Sequence, residues 1–374
     1  MKGSIVGKDE LRLVEEKNCS CLTLTFNNRE LLTPYDSNDN WVSGEIQTEQ
    51  GRVPIVSTNI NFKDILGTWK VRWGIGRKNY KINPGLYAVG KPDHTSPVLV
   101  SANYKLSFDV LRKELSGLNC WILVLDTKGI NVWCAAGKGT FGTDELVSRI
   151  SAAKLSGIIS HKKLILPQLG APGVSAHEVV RRTGFTVIYG PVRANDIKTF
   201  RDSGFKATGE MRTVNFTIWD RLILTPVELV QSVRFSLMVF GVLFLVNLFA
   251  VKPFGVSDFI VYTGAVVVGT VLTPIFLPYI PGRAFAWKGW LLGLSWTAVF
   301  AWFNNWFAPE QLFLALGYLL LLPSLSAFLA MNFTGSSTYT SFSGVIKEMK
   351  FAVPLIALSS FAGALLVLIN KILI

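Results

Sequence analysis

Cysteine is scarce in this chain, and hydrophobic runs are missing from its beginning. The 374 residues contain four cysteines, Cys19, Cys21, Cys120 and Cys134, and three histidines. These cysteines are too few and too irregularly spaced for a disulfide framework, and no C-x-x-C-x-x-C run of a ferredoxin-type cluster occurs. We therefore do not expect a disulfide-stapled domain or a self-contained iron–sulfur cluster.

The N-terminal thirty residues are polar, without the apolar stretch of a secretory signal peptide. The large N-terminal part is therefore expected to stay in the cytoplasm. The net charge of +12 is spread along the chain, and no recognisable nucleic-acid module accompanies it. We expect no nucleic-acid partner, and we interpret the positive charge as contact with anionic membrane lipid.

Charged residues nearly vanish after residue 234, where long apolar runs begin. A membrane-spanning helix needs about 20 apolar residues. Five segments qualify, the first of them marginally: residues 235–251, 259–280, 284–307, 311–331 and 351–370. The sequence thus predicts an all-α transmembrane domain of five helices over residues 235–374.

Basic residues in the loops predict how this domain is oriented. With the N-terminal part inside, four basic residues lie in cytoplasmic loops and two on the opposite side: Arg283, Lys288, Lys347 and Lys350 against Lys252 and Lys371. We expect a multi-pass protein of the inner (cytoplasmic) membrane with its C-terminus outside. Charge inside the spans is essentially missing, which favours an anchor, scaffold or docking surface over a solute pathway.

Apolar strands alternate with helices between residues 85 and 217. The predicted strands are residues 86–89, 98–100, 120–125, 163–166, 186–189 and 213–217, and the predicted helices are 108–115, 143–155, 175–182 and 194–200. This alternation predicts a Rossmann-like α/β domain over residues 56–217, with a doubly wound, mostly parallel sheet. Ligands in such sheets bind at the carboxyl ends of the strands.

Two flanking segments complete the predicted organisation. Residues 1–55 are expected to form an N-terminal extension, and residues 218–234 a juxtamembrane linker helix. Residues 55–77 contain apolar stretches that we interpret as strands.

The most informative motif follows the predicted strand 120–125. It reads Asn131-Val132-Trp133-Cys134-Ala135-Ala136-Gly137-Lys138. Small residues and a following glycine predict a short helix with Cys134 in its early turns, and a helix N-terminus favours a thiolate. Thiolate is a soft ligand suited to a polarizable metal. From these residues alone, a metal ligand or nucleophile and a small buried hydrophobe both remain open.

The segment of residues 126–141 resembles the cap-helix motif of the mercury-methylating corrinoid protein family (HgcA). The similarity extends across residues 84–200, and four further segments carry it: residues 86–90, 96–108, 166–173 and 189–194. These segments are also similar to the corrinoid-binding domain of the corrinoid iron–sulfur protein large subunit. The chain differs from that subunit because it lacks the cluster-binding cysteines and adds a membrane domain.

This resemblance implies a corrinoid cofactor of the cobalamin type, whose cobalt is held by the Cys134 thiolate as lower axial ligand. It implies a methyltransferase that transfers a methyl group from methyl-cob(III)alamin to Hg(II) and produces methylmercury. A folate-type methyl donor and a ferredoxin-like iron–sulfur electron donor protein are the implied partners, because the chain has no cluster of its own.

By matching position, the resemblance also assigns cofactor-binding residues. The wall against the corrin ring would comprise Asn131, Val132, Trp133, Ala135, Ala136, Gly137 and Lys138. Ser101, Asn103 and Ser107 would lie at the ring periphery. Gly170, Ala171, Gly173 and the turn from Gly190 to Ala194 would admit the ring and the nucleotide tail. Each of these is equally readable as an ordinary turn or cap residue.

Two other functions remain open at this point. The chain could be a corrinoid methyl carrier for another soft or thiolate acceptor. Alternatively, it could be a membrane transporter or scaffold whose soluble domain senses a cobalamin. Loss of corrinoid binding and of methylmercury formation on replacing Cys134 would separate these readings.

Overall fold

The structure is a computed structural model that describes residues 30–36, 39–337, 339–340 and 342–372. Cys19, Cys21 and most of the predicted N-terminal extension lie outside the described residues. Within the described residues, an α/β part is followed by a helical part, as the sequence predicted.

The strands are β1 Val42–Gln47, β2 Arg52–Val56, β3 Gly85–Val89, β4 Val98–Ala102, β5 Cys120–Leu125, β6 Lys163–Leu166 and β7 Thr186–Tyr189. The helices of the α/β part are α1 Phe62–Arg72, α2 Lys105–Glu114, α3 Val132–Gly137, α4 Thr143–Ala152, α5 Ala176–Thr183 and α6 Ile197–Asp202. The helices that follow are α7 Ile218–Leu222, α8 Thr225–Val246, α9 Val256–Val267, α10 Thr273–Phe276, α11 Phe285–Phe303, α12 Leu312–Asn332 and α13 Phe342–Ile372.

The sheet has the strand order β1-β2-β3-β5-β4-β6-β7. The strands β5, β4, β6 and β7 are parallel, whereas β3 is antiparallel to β5 and β1 is antiparallel to β2. The chain passes from β4 to β5 on one side and then returns to place β6 on the other side of β4. The gap between the carboxyl ends of β4 and β6 is therefore the switch point at which such sheets bind ligands.

Both faces of the sheet are covered, which confirms the predicted doubly wound fold. Successive residues of a strand point to opposite faces. On β5, Leu123 packs with Phe141 on the face that α3, α4 and α5 cover, and Ile122 packs with Phe108 of α2 on the other face. β1 and β2 extend this sheet into the segment predicted as an extension.

The prediction of strands over residues 55–77 is wrong beyond the end of β2. Residues Phe62–Arg72 form α1, because Asn61 and Asp64 cap its N-terminus reciprocally. The Asn61 side chain accepts a hydrogen bond from the Asp64 amide at 2.9 Å, and Asp64 accepts one from the Asn61 amide at 3.1 Å. A capping pair of this kind outweighs the modest strand propensity of the segment.

The strand predicted at residues 213–217 is not formed either. Thr217 instead caps α7, with Asp220 completing the reciprocal pair. The carbonyl of Asn215 accepts a hydrogen bond from the Arg193 side chain at 2.7 Å. These polar residues therefore satisfy their backbone through side chains rather than through a neighbouring strand.

Four helices in the described part of the chain are long and apolar enough to cross a membrane: Ile218–Val246, Val256–Phe276, Pro309–Gly335 and Ser343–Ile372. The predicted linker 218–234 begins as α7, and its second part continues into the first predicted span as α8, which ends at Val246. The third predicted span, residues 284–307, forms α11 but does not reach the same mean hydropathy. The tryptophans and Lys288 of α11 lower its mean hydropathy. Among the described residues, four rather than five helices are therefore long and apolar enough to cross a membrane.

The sequence predicts essentially no charge inside the spans, and a buried ion pair lies just outside the predicted spans 259–280 and 351–370. Lys371 forms an ion pair with Asp258 at 2.8 Å, and both side chains are less than one tenth exposed. The Tyr318 hydroxyl also donates to Asp258, at 2.7 Å. This cluster joins α9, α12 and α13. Lys288, assigned to a loop from the sequence, is buried in α11 and donates to the Leu277 carbonyl at 2.5 Å.

Arginine side chains connect the α/β part to the first helices of the helical part. Arg221 is buried and donates to the carbonyl oxygens of Phe216 and Ile275 at 2.7 and 3.0 Å. Arg193, in the turn after β7, forms an ion pair with Asp220 at 2.9 Å. The loop at the carboxyl end of β7 is thus attached to α7.

Candidate functional site

A cavity of about 310 Å³ lies at the switch point between β4 and β6. Its wall comes from the loops and helices that follow β4, β5, β6 and β7, so it lies where the fold predicts a ligand. The lining residues are Leu99, Val100, Ser101, Tyr104, Leu106, Ser107, Val110, Leu111, Asn131, Val132, Trp133, Ile165, Leu166, Pro167, Leu169, Gly190, Pro191, Val192, Ala194 and Ile197.

Seven residues predicted from the sequence meet in this wall: Ser101, Ser107, Asn131, Val132, Trp133, Gly190 and Ala194. They come from three separate segments of the chain, which the sheet order brings together. Pro191 and Val192 belong to the predicted turn 190–194, and the remainder of the wall is mostly apolar and was not predicted. A concave, mostly apolar wall with a few polar side chains is typical of a small-molecule or cofactor site.

The short helix predicted around Cys134 is confirmed as α3. Asn131 is its N-cap, and the Asn131 side-chain oxygen accepts a hydrogen bond from the Cys134 amide at 3.0 Å. This bond fixes the start of the helix and therefore the position of the cysteine. Cys134 is half-buried and not bonded to another cysteine.

The two faces of α3 differ. Ala135 and Ala136 are buried in the core, so they do not lie against the cavity as predicted. Asn131, Cys134 and Gly137 are spaced by three and share the outer face. A Cβ atom added to Gly137 would meet nothing within 4 Å. Open space therefore lies one helical turn beyond Cys134, and Lys138 is exposed. Cys134, Gly137 and Lys138 are not among the residues that line the cavity.

Asn103 was predicted to lie at the periphery of the ligand, but it does not line the cavity. It instead organises the loop that leads into α3. It is 2% exposed. Its side-chain oxygen accepts hydrogen bonds from the amides of Thr127 and Gly129, each at 3.0 Å. Its amide group donates to Asp126 at 3.1 Å. Burial alone would raise the pKa of Asp126, but hydrogen bonds from Lys128 and Asn103 hold it below its usual value.

Gly170 and Gly173 belong to a 3-10 helix, Gln168–Gly173, that lies behind α3. A Cβ atom on Gly173 would lie 2.1 Å from the carbonyl oxygen of Phe141 and 3.0 Å from the Ala136 Cα. One on Gly170 would lie 2.5 Å from the Phe141 ring. These glycines allow close packing against α3, and Ala171 beside them is also outside the cavity wall.

Gln168 is a polar residue that the sequence analysis missed. Its side-chain oxygen is buried and has no hydrogen-bond partner among the described residues. Its neighbours on either side, Pro167 and Leu169, both line the cavity. A buried acceptor without a partner is costly, so a donor from a water molecule or a ligand is expected there. Its place beside the glycines of the segment 166–173 was the available signal.

Nothing in the described residues forms a group of three or more histidine, cysteine, aspartate or glutamate side chains that could hold a metal ion. Cys120 lies within β5 and is 1% exposed, and burial raises the pKa of its thiol to about 12. Cys134 is therefore the more accessible of the two described cysteines. One thiol alone would suit a metal that brings most of its own ligands.

A larger cavity of about 810 Å³ lies among α8, α9, α12 and α13. Its wall is mostly apolar, and the hydrogen-bonded pair Asp258 and Tyr318 also lines it. It is formed entirely by the helical part, so it is separate from the cavity beside α3.

Comparison with known proteins places the similarity in the α/β part. Residues 55–201 match the family model described as CO dehydrogenase/acetyl-CoA synthase delta subunit. The chain is 30% identical over 144 residues to the acetyl-CoA decarbonylase/synthase complex subunit gamma of Methanocaldococcus jannaschii, which is 38% of this chain and 29% of the relative. The subunit gamma of Methanothermobacter thermautotrophicus is 28% identical over 178 residues, which is 43% of this chain and 38% of the relative.

A third relative, the subunit gamma of Methanopyrus kandleri, is 29% identical over 126 residues, 33% of this chain and 27% of the relative. The matched region thus spans well under half the length of each of these relatives. It contains β3 to β7, α3 and the whole wall of the cavity. The α/β part of this chain, residues 55–201, is therefore similar to the CO dehydrogenase/acetyl-CoA synthase delta subunit family.

Proposed function

We propose that this chain is a membrane-anchored, corrinoid-dependent methyltransferase that methylates Hg(II), with the Cys134 thiolate as the lower axial ligand of cobalt. One observation carries the proposal. Cys134 lies half-buried in α3, and the three residues before it, Asn131, Val132 and Trp133, line the cavity at the switch point of the sheet. Similarity to acetyl-CoA decarbonylase/synthase subunits supports a methyl-carrying role for the same part of the chain.

The residues of the site suit a corrinoid. Its macrocycle already supplies the equatorial ligands of cobalt, so a single thiolate from the protein is enough. The space beside Gly137 is open to a flat ring, and Val132 and Trp133 offer it an apolar wall. Corrinoids carry amide groups around the ring, and the unpartnered oxygen of Gln168 is a matching acceptor.

Bound there, the corrinoid would supply a cobalt centre that accepts a methyl group as a cation from a folate-type donor and releases it to Hg(II) with its bonding electron pair. The protein fixes the ligand. Asn131 caps α3 and so holds the backbone of Cys134, while Ala135 and Ala136 anchor the helix in the core. The anionic sulfur of Cys134 would favour that release by donating electron density to the cobalt.

Each such cycle consumes a pair of electrons, which this chain has no cluster to deliver. A ferredoxin-like iron–sulfur protein is therefore the proposed electron donor. The site also lacks a second group of thiols for Hg(II) in the described residues. We propose that mercury arrives as a thiol complex and reaches the exposed side of the bound corrinoid.

The test uses the full chain in nanodiscs, loaded with cobalamin under anaerobic conditions. Cys134→Ala is compared with Cys120→Ala, a buried control far from the open face of α3. We expect the wild type and the control to show a sulfur-ligated cobalt spectrum and to form methylmercury from a methylfolate, a low-potential reductant and Hg(II). Cys134→Ala should lose the sulfur signature and at least about 100-fold of the rate.

Three results would decide against the proposal in different ways. Unchanged activity in Cys134→Ala would remove the ligand assignment. Corrinoid binding with methyl transfer to thiols but not to Hg(II) would favour a methyl carrier for another soft acceptor. Corrinoid binding without any methyl transfer would favour a sensor attached to a membrane scaffold or transporter.

We also propose that the α/β part lies in the cytoplasm and that α11 crosses the membrane as a fifth span. Its 19 residues reach about 28 Å, close to the thickness of a bilayer core. Gly289 and Gly293 bring α11 against α12, where a Cβ on Gly293 would lie 2.7 Å from that of Ser326. Because α11 packs so closely along α12, both helices should lie at the same depth in the bilayer.

This topology places the C-terminus outside, and reporter fusions measure it. A C-terminal alkaline phosphatase fusion should be active and a C-terminal green fluorescent protein fusion dark. The same reporters fused after Val246, the end of α8, serve as the control for one crossing. A fluorescent C-terminal fusion would mean that only an even number of helices cross.

A further inference from the structure

Helix α1 has its apolar side chains on the outside. The exposed fractions are 76% for Phe62, 61% for Trp69 and 61% for Ile75, which follows the helix. Ile65, Leu66 and Trp73 are also exposed. Soluble domains rarely expose so many large apolar side chains side by side, so this surface indicates an interaction.

The inner side of α1 is held by charge rather than by apolar packing. Asp64 and Val71 are its buried residues. Asp64 accepts from Arg112 at 2.7 Å and from Lys105 at 2.8 Å, both on α2. Arg112 is fully buried and also donates to Asp109 at 2.8 Å. This network fixes which face of α1 points outward.

The apolar surface lies next to the first membrane helix. Gly74 follows α1 directly, and a Cβ atom on it would lie 3.8 Å from Val230 of α8. Val230 precedes the first long apolar run by five residues, which is about 7 Å along a helix. Trp219 of α7, at the start of the same candidate span, is 71% exposed. The C-terminal end of α1 is therefore at the level where a bilayer surface begins.

Basic residues border this apolar surface. Lys70, Arg77 and Lys78 are exposed, and Arg72 is half-buried. Long basic side chains extend their charges towards lipid phosphates while their stems stay in apolar surroundings. Tryptophans such as Trp69 and Trp73 are typical of the membrane–water interface. An apolar face with a basic border suits an anionic lipid surface.

We propose that α1 and the turn after it form an interfacial helix, lying on the anionic leaflet with Phe62, Trp69 and Ile75 inserted among the lipids. The inference rests on the membrane anchoring proposed above. It gives the α/β part a second attachment to the bilayer besides α8. The cavity beside α3 is then held at a fixed height and tilt above the membrane.

Photo-crosslinking on the full chain in nanodiscs tests this contact. A photoreactive phenylalanine analogue replaces Phe62 or Trp69, and in the control it replaces Val180, which is 43% exposed on α5. The nanodiscs contain phosphatidylcholine with or without phosphatidylglycerol. We expect lipid adducts at positions 62 and 69, enriched several-fold by phosphatidylglycerol, and none at position 180.

Crosslinks from positions 62 and 69 to protein would overturn the proposal, whether they reach a second copy or residues 1–29 of the same chain. Equal lipid adducts at all three positions would also overturn it. Trp69→Glu gives an independent check, because it should lower the lipid adducts at position 62 several-fold. Carbonate extraction separates the two proposals: a chain that alkali removes from membranes contradicts the anchoring, whereas a retained chain without adducts contradicts only the interfacial helix.

Discussion

At the scale of single residues, the two described cysteines have different environments although both are reduced. Burial in β5 raises the pKa of Cys120 to about 12, whereas Cys134 is half-buried on the outer face of α3. An alkylating reagent needs both the thiolate and access to it. We expect iodoacetamide at pH 8 to modify Cys134 and to leave Cys120 intact in the folded chain.

Peptide mass spectrometry measures this labelling site by site, which keeps Cys19 and Cys21 apart from the described pair. Prior loading with cobalamin should protect Cys134 if the thiolate binds cobalt. Denaturation is the control, since it should expose Cys120 to the reagent. Equal labelling of Cys134 with and without the corrinoid would contradict its role as a ligand.

Gln168 gives a second prediction at this scale. Gln168→Leu removes the unpartnered acceptor and would leave an amide donor of the corrinoid buried without a partner. Such a loss costs about 1–3 kcal/mol, which corresponds to about 5- to 150-fold weaker binding. The measurement is a cobalamin titration followed by absorbance. Gln47→Leu, an exposed change on β1, should bind as the wild type does, and an unaltered Kd in Gln168→Leu would exclude this contact.

At the scale of elements, two glycines in and behind α3 should respond in opposite ways. Gly173→Ala places a Cβ 2.1 Å from the Phe141 carbonyl oxygen, so it should force α3 and the 3-10 helix apart at a cost of about 1–3 kcal/mol. Gly137→Ala meets nothing and should stabilise α3 by about 0.5–1 kcal/mol. Thermal unfolding followed by tryptophan fluorescence measures both.

The same pair separates folding from binding. Because the new methyl group of Gly137→Ala occupies the open face next to Cys134, it should weaken cobalamin binding about tenfold, or about 1.4 kcal/mol, despite the higher stability. Wild-type affinity in Gly137→Ala would show that the ring does not cover this face. In Gly173→Ala, cobalamin binding should fall only in proportion to the fraction of the chain that is unfolded.

The elements themselves were predictable where local pattern decides them. The runs 86–89, 120–125 and 163–166 are buried strands because their apolar residues have helices on both sides. Helix α1 was missed because its outward face is apolar and its buried face contains Asp64, the reverse of a soluble helix. The glycines of the segment 166–173 pointed to the neighbourhood of Gln168, but the pairing of β6 with β4 that brings this segment to the cavity depends on strand order, which is not written in any one segment.

At the scale of the whole molecule, the ion pair between Asp258 and Lys371 holds the ends of α9 and α13 together. Lys371→Met would leave a buried carboxylate without its cation and should lower stability by about 3–5 kcal/mol. Adding Asp258→Asn should restore much of this loss, because no charge then remains unpaired. The unfolding midpoint in detergent is the measurement. Lys252→Met, which changes an exposed side chain, is the matched control. Equal unfolding midpoints for Lys371→Met and Lys252→Met would contradict a stabilising role of the ion pair.

The ion pair between Arg193 and Asp220 has a mechanical consequence. Arg193 follows Val192, which lines the cavity, and Asp220 belongs to α7, at the start of the first candidate membrane span. While this pair is formed, a tilt of α7 relative to the sheet would also displace Val192 at the cavity wall. The shape of the cavity and the position of the first helix of the helical part are therefore coupled through two side chains.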